Sequence, residues 1–122
     1  MKFTDTLKEE YPTAWEAFRK YYILSMCDND ENYLNLKIGE VHTEGFAKLH
    51  FDFQVGVLLM FLEENKIRPI ADSMDGYWGY GVHYYEGKWK ILGGMNYNTA
   101  LTTRAQAYQK AISKSFKLLE GK

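Results

Sequence analysis

The sequence predicts an α+β fold: an N-terminal helix, then a helix, a three-stranded antiparallel meander and a helix, with the helices packed on one face of the sheet. Three observations predict it. Residues 52–65 carry apolar side chains at helical spacing. Residues 67–95 alternate like strands and are punctuated by the turn dipeptides Asp75-Gly76 and Glu86-Gly87. Residues 103–119 open on a Thr103/Gln106 capping pair and repeat their apolar positions every three to four residues.

The first element is a polar helical turn or two over 4–10. Proline is favoured at the first position of a helix, so a second helix begins at Pro12. Trp15, Phe18 and Tyr22 share its buried face, while Glu16, Arg19 and Lys20 take the wet side. The loop formers of Cys27-Asp28-Asn29-Asp30-Glu31-Asn32 end it near Ser25. Across 33–51, Tyr33, Leu34, Leu36 and Ile38 suggest a short strand, with turns at Gly39 and Gly45. The helix at 52–65 places Val55, Leu58, Leu59 and Leu62 on one face, with Phe53, Val57, Met60 and Phe61 filling much of the rest. A helix apolar nearly all round is buried on most sides, or has one side covered by a second subunit.

The first strand spans 67–73, and Pro69 inside it argues for a sheet edge. The second spans 77–85, with Trp78, Tyr80, Val82 and Tyr84 on one face and Gly79, Gly81 and His83 on the other. The third spans 88–95, with Trp89, Ile91 and Met95 on one face. In the last helix Ala105, Tyr108, Ile112, Phe116 and Leu119 form the apolar stripe, and Gly121 ends it.

The chain of 122 residues is read as one domain, 1–51 holding the N-terminal helix and irregular or short-strand segment, and 52–122 the α-β-β-β-α module. Such a length buries a core without disulfides or a structural metal. Fifteen Lys and Arg against sixteen Asp and Glu leave a net charge of −1, which sets nucleic-acid binding back, since such binders show a basic balance or stripe. The single cysteine, Cys27, fits a reducing compartment. The start of the chain has no secretory signal pattern. The most apolar run, 55–62, falls short of the roughly 20 residues of a membrane helix. The expected location is the host-cell cytoplasm, with no membrane association.

The chemistry-bearing residues are sparse. His42, His50 and His83 have no paired spacing for zinc, so no metal is expected. The segment from Asp28 begins like a calcium loop, but Tyr33 stands where that loop needs glycine and Gly39 where it needs glutamate. Gly79-Tyr80-Gly81 lacks the third glycine of a dinucleotide fingerprint and lies within a strand. No local base accompanies Cys27. No catalytic constellation, and no cofactor, is expected.

Aromatics are abundant at 16% of residues, and Tyr77, Trp78, Tyr80, Tyr84, Tyr85, Trp89 and Tyr97 come from one hairpin and its exit. About half of these belong to the core by strand alternation. The outward set includes Tyr77 and Tyr85 with His83. Such a face suits a subunit or protein contact first, because aromatics are enriched at interfaces, and a stacked base second. The candidate binding residues are Tyr77, His83, Tyr85 and Tyr97, with Arg104 and Lys110 as the cations for a nucleotide phosphate. Lys110, Lys114 and Lys117 also form a stripe on the last helix, read as a solvated face.

The order helix–three strands–helix over 52–122 resembles the double-stranded-RNA-binding domain in topology. That family has a basic cluster at the start of its final helix, where this chain has Thr102-Thr103-Arg104-Ala105-Gln106. It has a Pro- and His-containing loop between its first two strands, where this chain has Ser73-Met74-Asp75-Gly76. Three further phrases are similar to small uncharacterised proteins of phages and prophages of gut bacteria. They are the stretch from Leu7 to Trp15 (LKEEYPTAW), the stretch from Phe53 to Leu59 (FQVGVLL) and the stretch from Thr103 to Ile112 (TRAQAYQKAI). That resemblance implies a binding role toward a host protein or small signal, and no catalytic residues. The expectation is a non-catalytic interaction or adaptor protein of a mobile element, acting as a homo-oligomer or on a host protein. A nucleotide-type ligand on the aromatic face comes second and weak duplex-RNA binding third.

Overall fold

The chain begins with two helices set head to tail, α1 (Phe3–Glu10) and α2 (Pro12–Met26), because Pro12 starts a fresh helix one residue after the first ends. The structure, a computed structural model, describes residues 2–35, 37–98 and 100–122. A 3₁₀ turn (Glu31–Asn35), α3 (Lys37–Ala47) and α4 (Phe51–Glu64) follow. Then come β1 (Ile67–Met74), β2 (Tyr77–Tyr85), β3 (Trp89–Ile91), β4 (Asn96–Asn98) and α5 (Arg104–Glu120). The α+β class holds, and the helices pack against the sheet.

The expected strand in 33–51 is not there. Tyr33 and Leu34 lie in the 3₁₀ turn and Ile38 in α3, while Leu36 lies outside the described residues. The expected turn glycines are helical as well. Gly39 is buried in α3, where a β-carbon would come within 2.5 Å of the Tyr33 carbonyl oxygen and 3.1 Å of the Ile23 Cδ1. Its glycine marks a close backbone approach between α3 and the 3₁₀ turn. Phe46, fully buried, docks α3 into the core.

The core centres on Phe18 of α2. Its ring stands 5.2 Å from Trp15, 5.0 Å from Phe46 and 5.3 Å from Phe61. Phe116 of α5 joins at 6.5 Å. Trp15, Phe18 and Tyr22 are all buried, as their spacing requires. One continuous cluster runs from Leu7 and Phe18 through Phe46 to Leu58, Val82 and Phe116, so both halves of the chain share a core.

The sheet is antiparallel, with β1 at an edge and β2 central. Asp75 and Gly76 close the first hairpin with φ of 48° and 87°, the pair of left-handed residues that a two-residue hairpin needs. The expected single third strand is two strands, both paired to the same side of β2. Extended, the register that pairs His83 with Ile91 would set Gly94 opposite Tyr80; Asn96 stands there instead, so two residues loop out. The cause is local: Gly93 and Gly94 take φ of 69° and 78°, which a ladder does not accommodate. An even-numbered insertion preserves which face each later side chain takes.

The α5 cap forms as read from the sequence: the Gln106 backbone N–H donates to the Thr103 Oγ1, and the Gln106 side chain accepts from the Thr103 backbone N–H. Along α4, Val55, Leu58 and Leu62 are buried, but Phe53 and Met60 are 70% and 63% exposed. Burial on most sides is therefore wrong for this helix. One apolar side faces outward, with Gly56 open between those two residues.

Candidate interaction surface

Strand register sorts the sheet's side chains. Ile67, Pro69 and Ala71 of β1 stand opposite Tyr84, Val82 and Tyr80 of β2. This face meets the helices: Ile67 and Val82 share the cluster with Ile112 and Phe116 of α5. The other face carries Arg68, Ile70, Asp72 and Met74 from β1 and Tyr77, Gly79, Gly81, His83 and Tyr85 from β2. Ile91 joins it opposite His83, Trp89 opposite Tyr85, and Tyr97 opposite Gly79.

Two glycines form a trough in the centre of this outer face, and the β3–β4 segment fills it. A β-carbon on Gly79 would collide with the Tyr97 ring, and one on Gly81 with the Met95 sulfur. Tyr97 thus lies flat across the strand, and its hydroxyl donates to the Asp72 Oδ2 at 2.8 Å. That hydrogen bond holds the phenol above its usual pKa, because ionisation would oppose two anions. Tyr77 stands edge-on to Tyr97 at 6.4 Å.

The opposite end has a second aromatic pair. Tyr85 and Trp89 meet edge-on at 5.6 Å. The Arg68 guanidinium lies 3.9 Å over the Trp89 ring, and the Lys66 ammonium 5.1 Å over the Tyr85 ring. The Glu63 carboxylate, at the end of α4, accepts from the Arg68 Nη2 at 2.7 Å and from Nε at 2.8 Å. This bidentate grip lowers the Glu63 pKa and raises that of Arg68.

The aromatic edge residues are substantially open. Trp89 is 37% exposed, Tyr97 38% and Ile91 48%, with Met74 and Tyr85 exposed as well. Tyr77 and His83 are half-buried. The structure therefore brings Tyr77, His83, Tyr85 and Tyr97 onto one face. It does not bring Arg104 and Lys110 to them. Arg104 lies over the Tyr108 ring at 4.7 Å and near Asp52 of α4 at 3.8 Å. Lys110 lines a cleft with Phe3, Thr6 and Gln106. Both belong to α5, which packs on the far face of the sheet. The lysine stripe on α5 is also incomplete as a solvated face. Lys114 is half-buried, donates to the Leu92 carbonyl at 3.2 Å and sits 6.0 Å from the Tyr80 ring centre.

Trp89, Ile91, Met74 and Arg68 belong to the surface but are not among the six candidate binding residues read from the sequence. The signal was present: alternation along β1, extended through the Asp75-Gly76 turn, places Arg68 and Met74 on the side of His83 and Tyr77. Several recesses lie away from this face. A groove of about 580 Å³ is lined by Leu92, Gly93, Lys114, Lys117 and Leu118. Cys27, a half-buried free thiol, shares a shallow cleft with His42 and Asp30. Among the described residues no three His, Cys, Asp or Glu side chains group as a metal site, and no helix is long and apolar enough to cross a membrane. Compared with known protein families, curated proteins and solved structures, the chain matches none.

Proposed function

We propose that this chain is a non-catalytic interaction protein, an adaptor of a phage or other mobile element working in the host cytoplasm, and that it docks a protein on the outer face of its sheet. One observation carries the reading. An antiparallel sheet with one face on the core ordinarily turns polar side chains to water on the other. Here that other face presents Tyr77, Tyr85, Trp89, Ile91 and Tyr97. Contiguous exposed apolar surface of this kind marks interaction sites, and Tyr, Trp and Arg are the residues that dominate them.

A protein suits the surface better than a nucleotide or RNA. The cations expected to hold a phosphate, Arg104 and Lys110, sit on α5 and not beside the aromatic face. Lys114 is committed to the Leu92 carbonyl, which breaks the basic stripe that duplex RNA would need. The aromatic pairs are preformed and held by Arg68 and Asp72, so docking orders few side chains anew.

The test is hydroxyl-radical footprinting of the full chain, dilute and pure, against the same chain in host extract and at high concentration. Protection of Trp89, Tyr97, Met74 and Met95 in either of the latter is expected. Full reactivity of these side chains under all conditions would overturn the reading.

A further inference from the structure

We infer that the outer sheet face is covered by a second copy of this chain, stacked sheet on sheet with its strands reversed. This rests on the reading that the face docks a protein, and it names the occupant. The first support is charge order along one strand. Arg68, gripped by Glu63, and Lys66 over the Tyr85 ring stand at one end of the face, and Asp72 stands toward the other, with Ile70 midway on β1. A two-fold axis lying between the sheets, perpendicular to the strands and level with Ile70, places each strand on its own copy run backwards. Ile70 then meets Ile70 of the other copy, and Arg68 meets Asp72 twice, once in each direction. An axis parallel to the strands would instead bring acidic end to acidic end. Charge complementarity selects the first arrangement.

The second support is unused hydrogen-bonding capacity at those two residues. Glu63 takes the Nε and Nη2 of Arg68, and among the described residues Nη1 donates to nothing. The two Asp72 oxygens each accept one bond, from the Ser73 backbone N–H and the Tyr97 hydroxyl, and a carboxylate oxygen accepts two. Face-packed sheets stand about 10 Å apart, a gap that an arginine and an aspartate reaching toward each other close. The same rotation lays Tyr85 of one copy over Tyr77 of the other, and Ile91 over Tyr97.

The third support is that the sheet's edges are blunted while its face is not. Pro69 puts a residue without an N–H into β1, and the opposite edge is two three-residue strands separated by a bulge. Both are devices against strand addition. Association through an added strand is discouraged at both edges, which favours pairing through the face of the sheet.

The experiment is sedimentation across a concentration series. Wild type is expected to dimerise. Arg68→Glu and Asp72→Arg are each expected to weaken the dimer by at least about tenfold, since each sets like charges together twice. An equimolar mixture of the two variants recovers it, because every contact is then between opposite charges. Met60→Lys, on the exposed side of α4, leaves the dimer intact. In a Cys27→Ser background, Ile70→Cys is expected to cross-link to itself with a short bis-maleimide, as the axis level demands. A wild type that stays monomeric overturns the inference, as does a dimer indifferent to both charge variants, one broken by Met60→Lys, or one in which Ile70→Cys does not cross-link. If the wild type is monomeric and yet the face is protected in host extract, this inference falls and the interaction reading stands. If the face is protected nowhere, both fall.

Discussion

The Glu120 carboxylate, in the last turn of α5, closes the N-terminus of α2: it accepts from the backbone N–H of Ala14 at 2.6 Å and of Thr13 at 3.2 Å. The first turn of a helix has N–H groups without intrahelical partners, and an anion there is favoured by the helix dipole. Tyr11, at the N-cap position, gives no side-chain cap, so Glu120 supplies from 106 residues away what a local Ser or Asp would.

That contact predicts a pH dependence. The hydrogen bond from Ala14 holds the Glu120 pKa below the ordinary glutamate value of 4.5. A carboxyl depressed by folding contributes stability that is fully present above its unfolded pKa and is lost as pH falls through the folded pKa. Glu120→Ala is expected to unfold at lower temperature than wild type at pH 7, with the difference shrinking below pH about 4.5. Thermal melts of both proteins at stepped pH check it. Glu63, lowered by Arg68, moves wild-type stability in the same direction, so the difference between the two proteins is the quantity to read.

Helical glycines are expected to split by sign. Gly45 in α3 and Gly56 in α4 have open space where a β-carbon would go. Alanine at either is expected to stabilise by about 0.5–1 kcal/mol, the usual gain of alanine over glycine in a helix. Gly39 sits in the same helix as Gly45, yet a β-carbon there would press on the Tyr33 carbonyl oxygen at 2.5 Å. Gly39→Ala is expected to destabilise. Urea unfolding of the three variants decides; a stabilised Gly39→Ala would contradict the close approach.

Gly79→Val tests the trough. Its side chain would occupy the place of the Tyr97 ring and force Tyr97 off Asp72. Overpacking of this kind costs about 1–3 kcal/mol. The Tyr97 hydroxyl pKa is expected to fall back toward that of free tyrosine, readable by ultraviolet titration against a Tyr97→Phe control.

Phe46→Ala tests whether α3 belongs to the core. The ring is fully buried and lies 5.0 Å from both Phe18 and Tyr22. Its removal is expected to cost about 3–5 kcal/mol. A loss under 1 kcal/mol in chemical denaturation, roughly the level of a surface change, would mean that α3 packs loosely.

Much of the outer face was legible in the sequence. Alternation through 77–85 separates Tyr77, His83 and Tyr85 from Trp78, Tyr80, Val82 and Tyr84, and the register bears out that division. Tyr97 keeps the parity of Trp89, Ile91 and Met95, so alternation carries it to the same face, but its place along the sheet is not legible locally. It lies beyond the glycine pair that breaks the third strand, and its ring position depends on Gly79 across the sheet. Charge alone groups Arg104 and Lys110 with the aromatics. Nothing in a linear sequence says that α5 lies behind the sheet.

By itself the sequence determined the elements whose signals are local: the Pro12 helix start, the Asp75-Gly76 hairpin, the Thr103/Gln106 cap and the alternation of β2. Each rests on sterics or hydrogen bonds within a few residues, so a short window suffices. The tertiary structure decided the rest. It made 37–47 a helix, because burying Phe46 and seating Gly39 against the 3₁₀ turn outweigh a weak local strand pattern. It left Phe53 and Met60 of α4 facing outward, paired Arg68 with Trp89 and Glu63, and brought Glu120 to α2. These depend on which surfaces meet once the chain has folded, and residues far apart in sequence carry no local trace of that meeting.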